Sequence, residues 1–143
     1  FGDEAFLILK LINADSFYIY IINLRAFWRQ GFYMMADRKI VLAKAVLKAA
    51  EQLSLDPDSL SVIIGIDLRL SNKLELDPES EQGNRAILLI RIYRSLYALN
   101  GGNLAWMQRF MKSPNTATGG IPSEQIKTYA GLIKVLQFLD ASM

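Results

Sequence analysis

From Met34 onward, apolar positions recur every three or four residues between glycine and proline punctuation, the spacing of helices with one buried face. Asp37 stands where it could cap a helix running through Leu53. Ile40, Val41, Ala43, Val46, Leu47, Ala50 and Leu53 form its apolar side, and Lys39, Lys44, Lys48, Glu51 and Gln52 fill much of the rest. Asp56 followed by Pro57 opens a short helix over 57–64, because proline at the first helical position loses no hydrogen bond. Gly65 permits a positive-φ turn, and Asp67 can cap a third short helix through Leu74. Asp77 to Glu81 reads as a polar linker.

The next helix, Gln82–Leu99, is apolar over most of its circumference. Such a helix lies at the centre of a core, or between a core and a partner. Asn100-Gly101-Gly102 stops it. Asn103 caps Leu104–Lys112, which carries Trp106, Met107, Phe110 and Met111, with Trp106 expected in the core. Pro114 and Asn115 end that helix, a Gly119-Gly120 loop follows, and Ile121-Pro122-Ser123 opens a short helix toward Thr128. Tyr129-Ala130-Gly131 reads as a joint before a last helix over Leu132–Ala141, with Ser142 and Met143 as a tail. Its stripe of Leu132, Val135, Leu136, Phe138 and Leu139 must be buried in its own core or against a second protein.

Residues 1–34 follow no such rule. Phe6–Ile12 and Phe17–Leu24 could pair as strands across Asn13–Ser16, or form one frayed helix. Their apolar runs are interrupted by Lys10, Asn13, Asp15, Asn23 and Arg25, short of the roughly 18 apolar residues of a membrane span. Asp3 and Glu4 are wrong for the start of a signal peptide. Met34-Met35-Ala36-Asp37 resembles a translation start, which leaves open whether 1–34 is a hydrophobic extension outside the working domain or a hairpin or helix covering the core.

Composition narrows the chemistry. Of the 143 residues, 52% are apolar, which is enough for a real core and rules out an intrinsically disordered chain. Sixteen basic residues against fourteen acidic ones give no global field to attract nucleic acid, although a local basic face could still do so. There is no Cys and no His, which removes disulfides, Cys/His zinc sites, thiol or imidazole nucleophiles and a histidine base. No paired-carboxylate motif, phosphate loop or nucleophile elbow is present. Asn100-Gly101-Gly102-Asn103 follows a helix rather than a strand and is no phosphate cradle. No catalytic residue, metal ligand or cofactor is therefore assigned.

The helices from Asp37 to Leu74, with a glycine between the second and third, make a helix-turn-helix pattern. Its reading helix would offer Arg69, Ser71, Asn72 and Lys73, residue types that pair with base edges or phosphates. Asp67, Glu75 and Asp77 beside them would repel phosphate. Ser71 occupies an inward position that is usually aliphatic, and Leu70 one that is usually polar. DNA contact and an inherited scaffold without reading both stay open.

One longer series is familiar. Leu89-Ile90-Arg91-Ile92-Tyr93-Arg94-Ser95-Leu96, then Gly101-Gly102, Trp106, Pro114-Asn115, Gly119-Gly120, Pro122, Gly131-Leu132, Val135 and Leu139-Asp140-Ala141 resembles the Xre/MbcA/ParS-like toxin-binding domain from about Arg85 to Met143. The helix-turn-helix lies where that family carries its DNA-binding part, so the resemblance extends over about 37–143. It implies an all-α helical bundle, divided into a 1–34 extension, a 35–81 helix-turn-helix-like part and an 82–143 toxin-binding domain. It also implies a cytoplasmic bacterial type II antitoxin, neither an enzyme nor a membrane protein. Such a protein would seal the active site of a RES-domain, NAD-degrading toxin, form a homodimer and bind its own promoter DNA.

By the same resemblance, Asn115, Gly119, Gly120, Pro122, Asp140, Ser142 and Met143 would face the toxin. Of these, Gly119, Gly120 and Pro122 also read as backbone geometry, while Asp140, Ser142 and Met143 read as the direct blockers. Arg91 and Arg94 are open between a solvated face, a dimer contact and phosphate contacts. Deleting residues 137–143 is expected to abolish neutralisation and leave a folded protein. The alternative function is a dimeric helix-turn-helix regulator that has no toxin partner.

Overall fold

A computed structural model describes residues 34–67 and 75–143, with side chains from Arg38 onward. Extension residues 1–33 lie outside the described residues, as do the four reading-helix positions Arg69, Ser71, Asn72 and Lys73. Six helices make up the described chain: α1 Met34–Gln52, α2 Pro57–Ile64, α3 Glu81–Asn100, α4 Leu104–Lys112, α5 Pro122–Gln125 and α6 Tyr129–Ser142. Among the described residues the sole β pairing is an isolated bridge, Asn115 with Gly120. The fold is all-α.

α3 is the axis of the bundle. Ala86, Leu88, Leu89, Ile90, Ile92, Tyr93 and Leu96 are all buried, because α1, α2, α4 and α6 pack around it. The breadth of its apolar surface thus reflects neighbours on several sides. Its start is tightly built. The Ser80 hydroxyl accepts from Gly83 N–H at 3.0 Å and donates to the Asp77 carbonyl at 2.6 Å, while the Asp77 carboxylate accepts from Glu79 N–H at 2.9 Å. Gly83 is required there, since a Cβ would lie 1.8 Å from the Asp77 carbonyl oxygen. At the other end Gly101 takes φ 61 and closes the helix, as Asn100-Gly101-Gly102 foretold.

One hydrophobic cluster joins Leu42, Val46 and Leu53 of α1, Ile63 and Ile64 of α2, Leu89 and Ile92 of α3, Met107 and Met111 of α4, and Leu132, Val135 and Leu139 of α6. It crosses the 81/82 boundary read from the sequence. Gln52 is a polar joint at the same place. Its backbone carbonyl accepts from Gln108 Nε2 at 3.0 Å, and its side-chain oxygen accepts from the Tyr93 hydroxyl. The chain also returns to α1 after residue 75, where Leu76 N–H donates to the Lys39 carbonyl at 3.0 Å.

Three boundaries differ from expectation. α1 begins at Met34, so Asp37 lies inside the helix instead of capping it. Glu81 belongs to α3, because the cap is Ser80. Tyr129-Ala130-Gly131 is no joint: α6 starts at Tyr129, and the Thr128 hydroxyl accepts from Gly131 N–H at 3.0 Å. Gly131 is needed for closeness, not for a bend, since a Cβ there would meet the Gln125 carbonyl oxygen at 1.6 Å.

Candidate functional site

The last helix settles where its stripe goes. Leu132, Val135, Leu136 and Leu139 are buried against this chain's own core, each worth about 2 kcal/mol. Lys134, Gln137, Asp140, Ala141 and Ser142 stay exposed, and Met143 is 67% exposed. α6 is therefore an anchored helix that offers its outer face and its end.

Asp140 ties that end to α3. Its carboxylate accepts from the Ser95 hydroxyl at 3.3 Å and sits 3.8 Å from the Arg91 guanidinium. Both charged side chains are about half exposed, so the pair contributes under about 1 kcal/mol. Its effect is geometric: it fixes the last turn of α6 on α3. The Ser142 hydroxyl donates back to the Phe138 carbonyl at 2.8 Å. Met143 caps the helix, its N–H turned to the Asp140 carbonyl at 3.4 Å.

The loop between α4 and α5 is shaped from within. The Asn115 side-chain oxygen accepts from Ala117 N–H at 2.9 Å and Thr118 N–H at 3.3 Å, a side-chain-closed turn. Thr118 is fully buried, with its hydroxyl on the carbonyls of Asn115 and Gly120, and its own carbonyl accepts from Gln125 Nε2 at 2.6 Å. Gly119 takes φ 83, a conformation that penalises any side chain. Pro122 is buried at the start of α5. Asn115, Gly120 and Pro122 are thus occupied in building the loop, and exposed Thr116, Ala117 and Gly119 form its outer surface.

Loop and end helix lie side by side. A Cβ at Gly119 would come within 3.1 Å of Lys134 Nζ, which places the Lys134 side chain over the loop. One turn along α6 from Lys134 stands Phe138, and one turn further Ser142, on the same helix face. Phe138 stacks on Phe110 of α4 with centroids 6.3 Å apart and planes 4° from parallel. Phe110 stacks in turn on Trp106, at 5.8 Å and 16°. A ladder of three rings therefore crosses from α4 to α6 beside the last turn of α6.

Sequence reasoning missed this ladder. Trp106 was expected in the core and is 39% exposed. α4 carries two apolar pairs at i, i+4 spacing, Met107 with Met111 and Trp106 with Phe110. The methionine pair is fully buried, and the aromatic pair lies about 100° round the helix. Two such pairs on nine residues make an apolar arc too wide for one buried face, and that was the signal available. Of the remaining sequence-derived residues, the structure brings Gly119, Ser142 and Met143 to the outer surface and leaves Asp140 half exposed in its contacts with α3.

Among the described residues, no group of three acidic side chains could hold a metal ion, and no helix is long and apolar enough to cross a membrane. A recess between α1 and α2, about 290 Å³, is lined mainly by Leu47, Ala50, Leu55, Pro57, Leu60 and Ile66 and lies away from the ladder's helices.

These features define a small all-helical unit whose C-terminal part presents a shaped loop, an aromatic ladder and the exposed last turn of α6. Residues 95–142, from the end of α3 through α6, match the family model of the antitoxin Xre/MbcA/ParS C-terminal toxin-binding domain. Over that stretch the chain is similar to this family of toxin-binding domains. No curated protein matches the chain.

Proposed function

We propose that the chain is the antitoxin of a bacterial type II toxin–antitoxin pair, and that it neutralises a RES-domain, NAD-degrading toxin by occupying the toxin's active site with its C-terminal end. The observation that carries this reading is the division of α6 within a matched toxin-binding domain. One face is locked into the core, while Ser142 and Met143 are left exposed beyond the Asp140 tether. A rigid helix with an exposed last turn can enter a cleft without unfolding its own domain, so little ordering entropy opposes binding. The protein acts by steric exclusion and performs no catalysis. It works as a cytoplasmic homodimer, and its helix-turn-helix part, through Arg69, Ser71, Asn72 and Lys73, contacts the promoter of its own operon.

The test is co-expression with the product of the adjacent reading frame. That product alone should arrest growth, and the full chain should relieve the arrest. A chain lacking Ala141–Met143 should leave the arrest in place while remaining folded. Relief by the shortened chain would count against blocking by the terminal segment. The deletion starts at Ala141 because removal of 137–143 would also take Leu139, which is 1% exposed, and so would damage the core.

A further inference from the structure

We infer that the Trp106–Phe110–Phe138 ladder is the toxin's docking anchor, distinct from the terminal segment that blocks its active site. The inference rests on the toxin-neutralising reading above. Three observations lead to it. First, the three rings are stacked in series, from half-buried Phe138 and Phe110 out to exposed Trp106, across two helices that belong to the matched toxin-binding stretch. Large aromatic side chains that are already ordered supply contact area at low entropic cost and are enriched among residues that dominate binding energy. Second, the ladder is continuous with the proposed plug. Phe138 shares its helix face with Ser142, and Ser142's hydroxyl is bonded to the Phe138 carbonyl. Third, the ladder has a basic rim: exposed Arg109 lies one turn from Trp106, and exposed Lys134 one turn from Phe138.

The partner surface that fits is an apolar recess edged by carboxylates, set next to the mouth of the toxin's active site. Among the described residues, the other exposed apolar side chains form no stacked series of three rings. Tyr97 lies folded over Gly102, and Val62 and Ile66 belong to the N-terminal part. Anchor and plug then have separable effects: the ladder determines affinity, and the last residues determine inhibition.

The test measures binding of the adjacent reading frame's product to the full chain by calorimetry, with sedimentation of each protein alone. Trp106→Ala should raise Kd by about 30-fold or more. Trp106→Phe should recover most of that loss, which a merely misfolded variant would not do. Deletion of Ala141–Met143 should change Kd far less than Trp106→Ala. Unchanged affinity in a folded Trp106→Ala chain would overturn the anchor and leave the antitoxin reading standing. If the substitution instead converts a dimer to a monomer with toxin affinity intact, the ladder serves a second copy of this chain and the inference fails. If the unaltered chain does not bind the adjacent product at all, the antitoxin reading itself falls, and the anchor with it.

Discussion

Two glycines of this chain do different work, and substitution should separate them. Gly131 lies in the first turn of α6 with its Cα hydrogens against the Gln125 carbonyl, where a Cβ would sit 1.6 Å from the oxygen. Neither backbone can yield without moving α5 from α6. Gly131→Ala should therefore cost more than about 2 kcal/mol in urea unfolding. A Cβ at Gly101 would meet nothing within 4 Å, but the residue holds φ 61. Gly101→Ala should cost only the left-handed backbone penalty, about 1–2 kcal/mol. The role of Gly101 was legible in the sequence, because Asn100-Gly101-Gly102 follows a long apolar run and cap chemistry is local. The role of Gly131 was not legible, since the carbonyl it must clear belongs to Gln125, at the end of a different helix. Asn115 shows the same limit: its side chain closes its own loop, a use that residue type and position alone could not separate from toxin contact.

At the scale of elements, helix existence followed from periodicity and helix faces did not always. The pattern named all six described helices with approximate bounds, and of the α6 stripe it named, Leu132, Val135, Leu136 and Leu139 are buried and Phe138 is half-buried. α4 is the exception, because its two apolar pairs compete for one buried face and the more adaptable methionines take it. Truncation should expose the hierarchy within α6. Removing Ala141–Met143 takes away only exposed residues and should leave the urea midpoint nearly unchanged. Removing 137–143 also strips Leu139 and half-buried Phe138 from the core and should destabilise the chain by about 2–5 kcal/mol.

α3 and α1 are joined by a group that titrates. Burial raises the Tyr93 hydroxyl pKa above its usual 10.0, and Tyr97 adds to the shift. The folded state thus holds this proton more tightly than the unfolded chain does. Its contribution to stability is complete below about pH 10 and is lost as pH rises through the raised folded value. Thermal unfolding followed from neutral to alkaline pH should show a decline above about pH 10 that is smaller in Tyr93→Phe. The phenylalanine variant should also be less stable near neutrality by about 1 kcal/mol, through the lost bond to Gln52.

For the molecule as a whole, the matched stretch 95–142 is not a free-standing unit. Its Met107, Met111, Leu132 and Leu139 share one core with α1 and α2, and Gln52 bonds to both Tyr93 and Gln108. The all-α class and the likeness of the C-terminal part to a toxin-binding domain were legible because glycine, proline and apolar positions mark the helices by their spacing along the chain. The docking face was not, because it is assembled from rings on two helices far apart in sequence, Phe110 on α4 and Phe138 on α6. With its basic rim and the exposed last turn of α6 beside it, that face supports the proposal that the chain keeps a substrate out of a toxin's cleft. The most direct measurement is NAD consumption by the purified product of the adjacent reading frame, titrated with this chain. The full chain should stop consumption completely at binding equivalence, and the chain lacking Ala141–Met143 should bind yet leave consumption running. Complete inhibition by the shortened chain, or undiminished NAD loss with the full chain bound, would contradict the account.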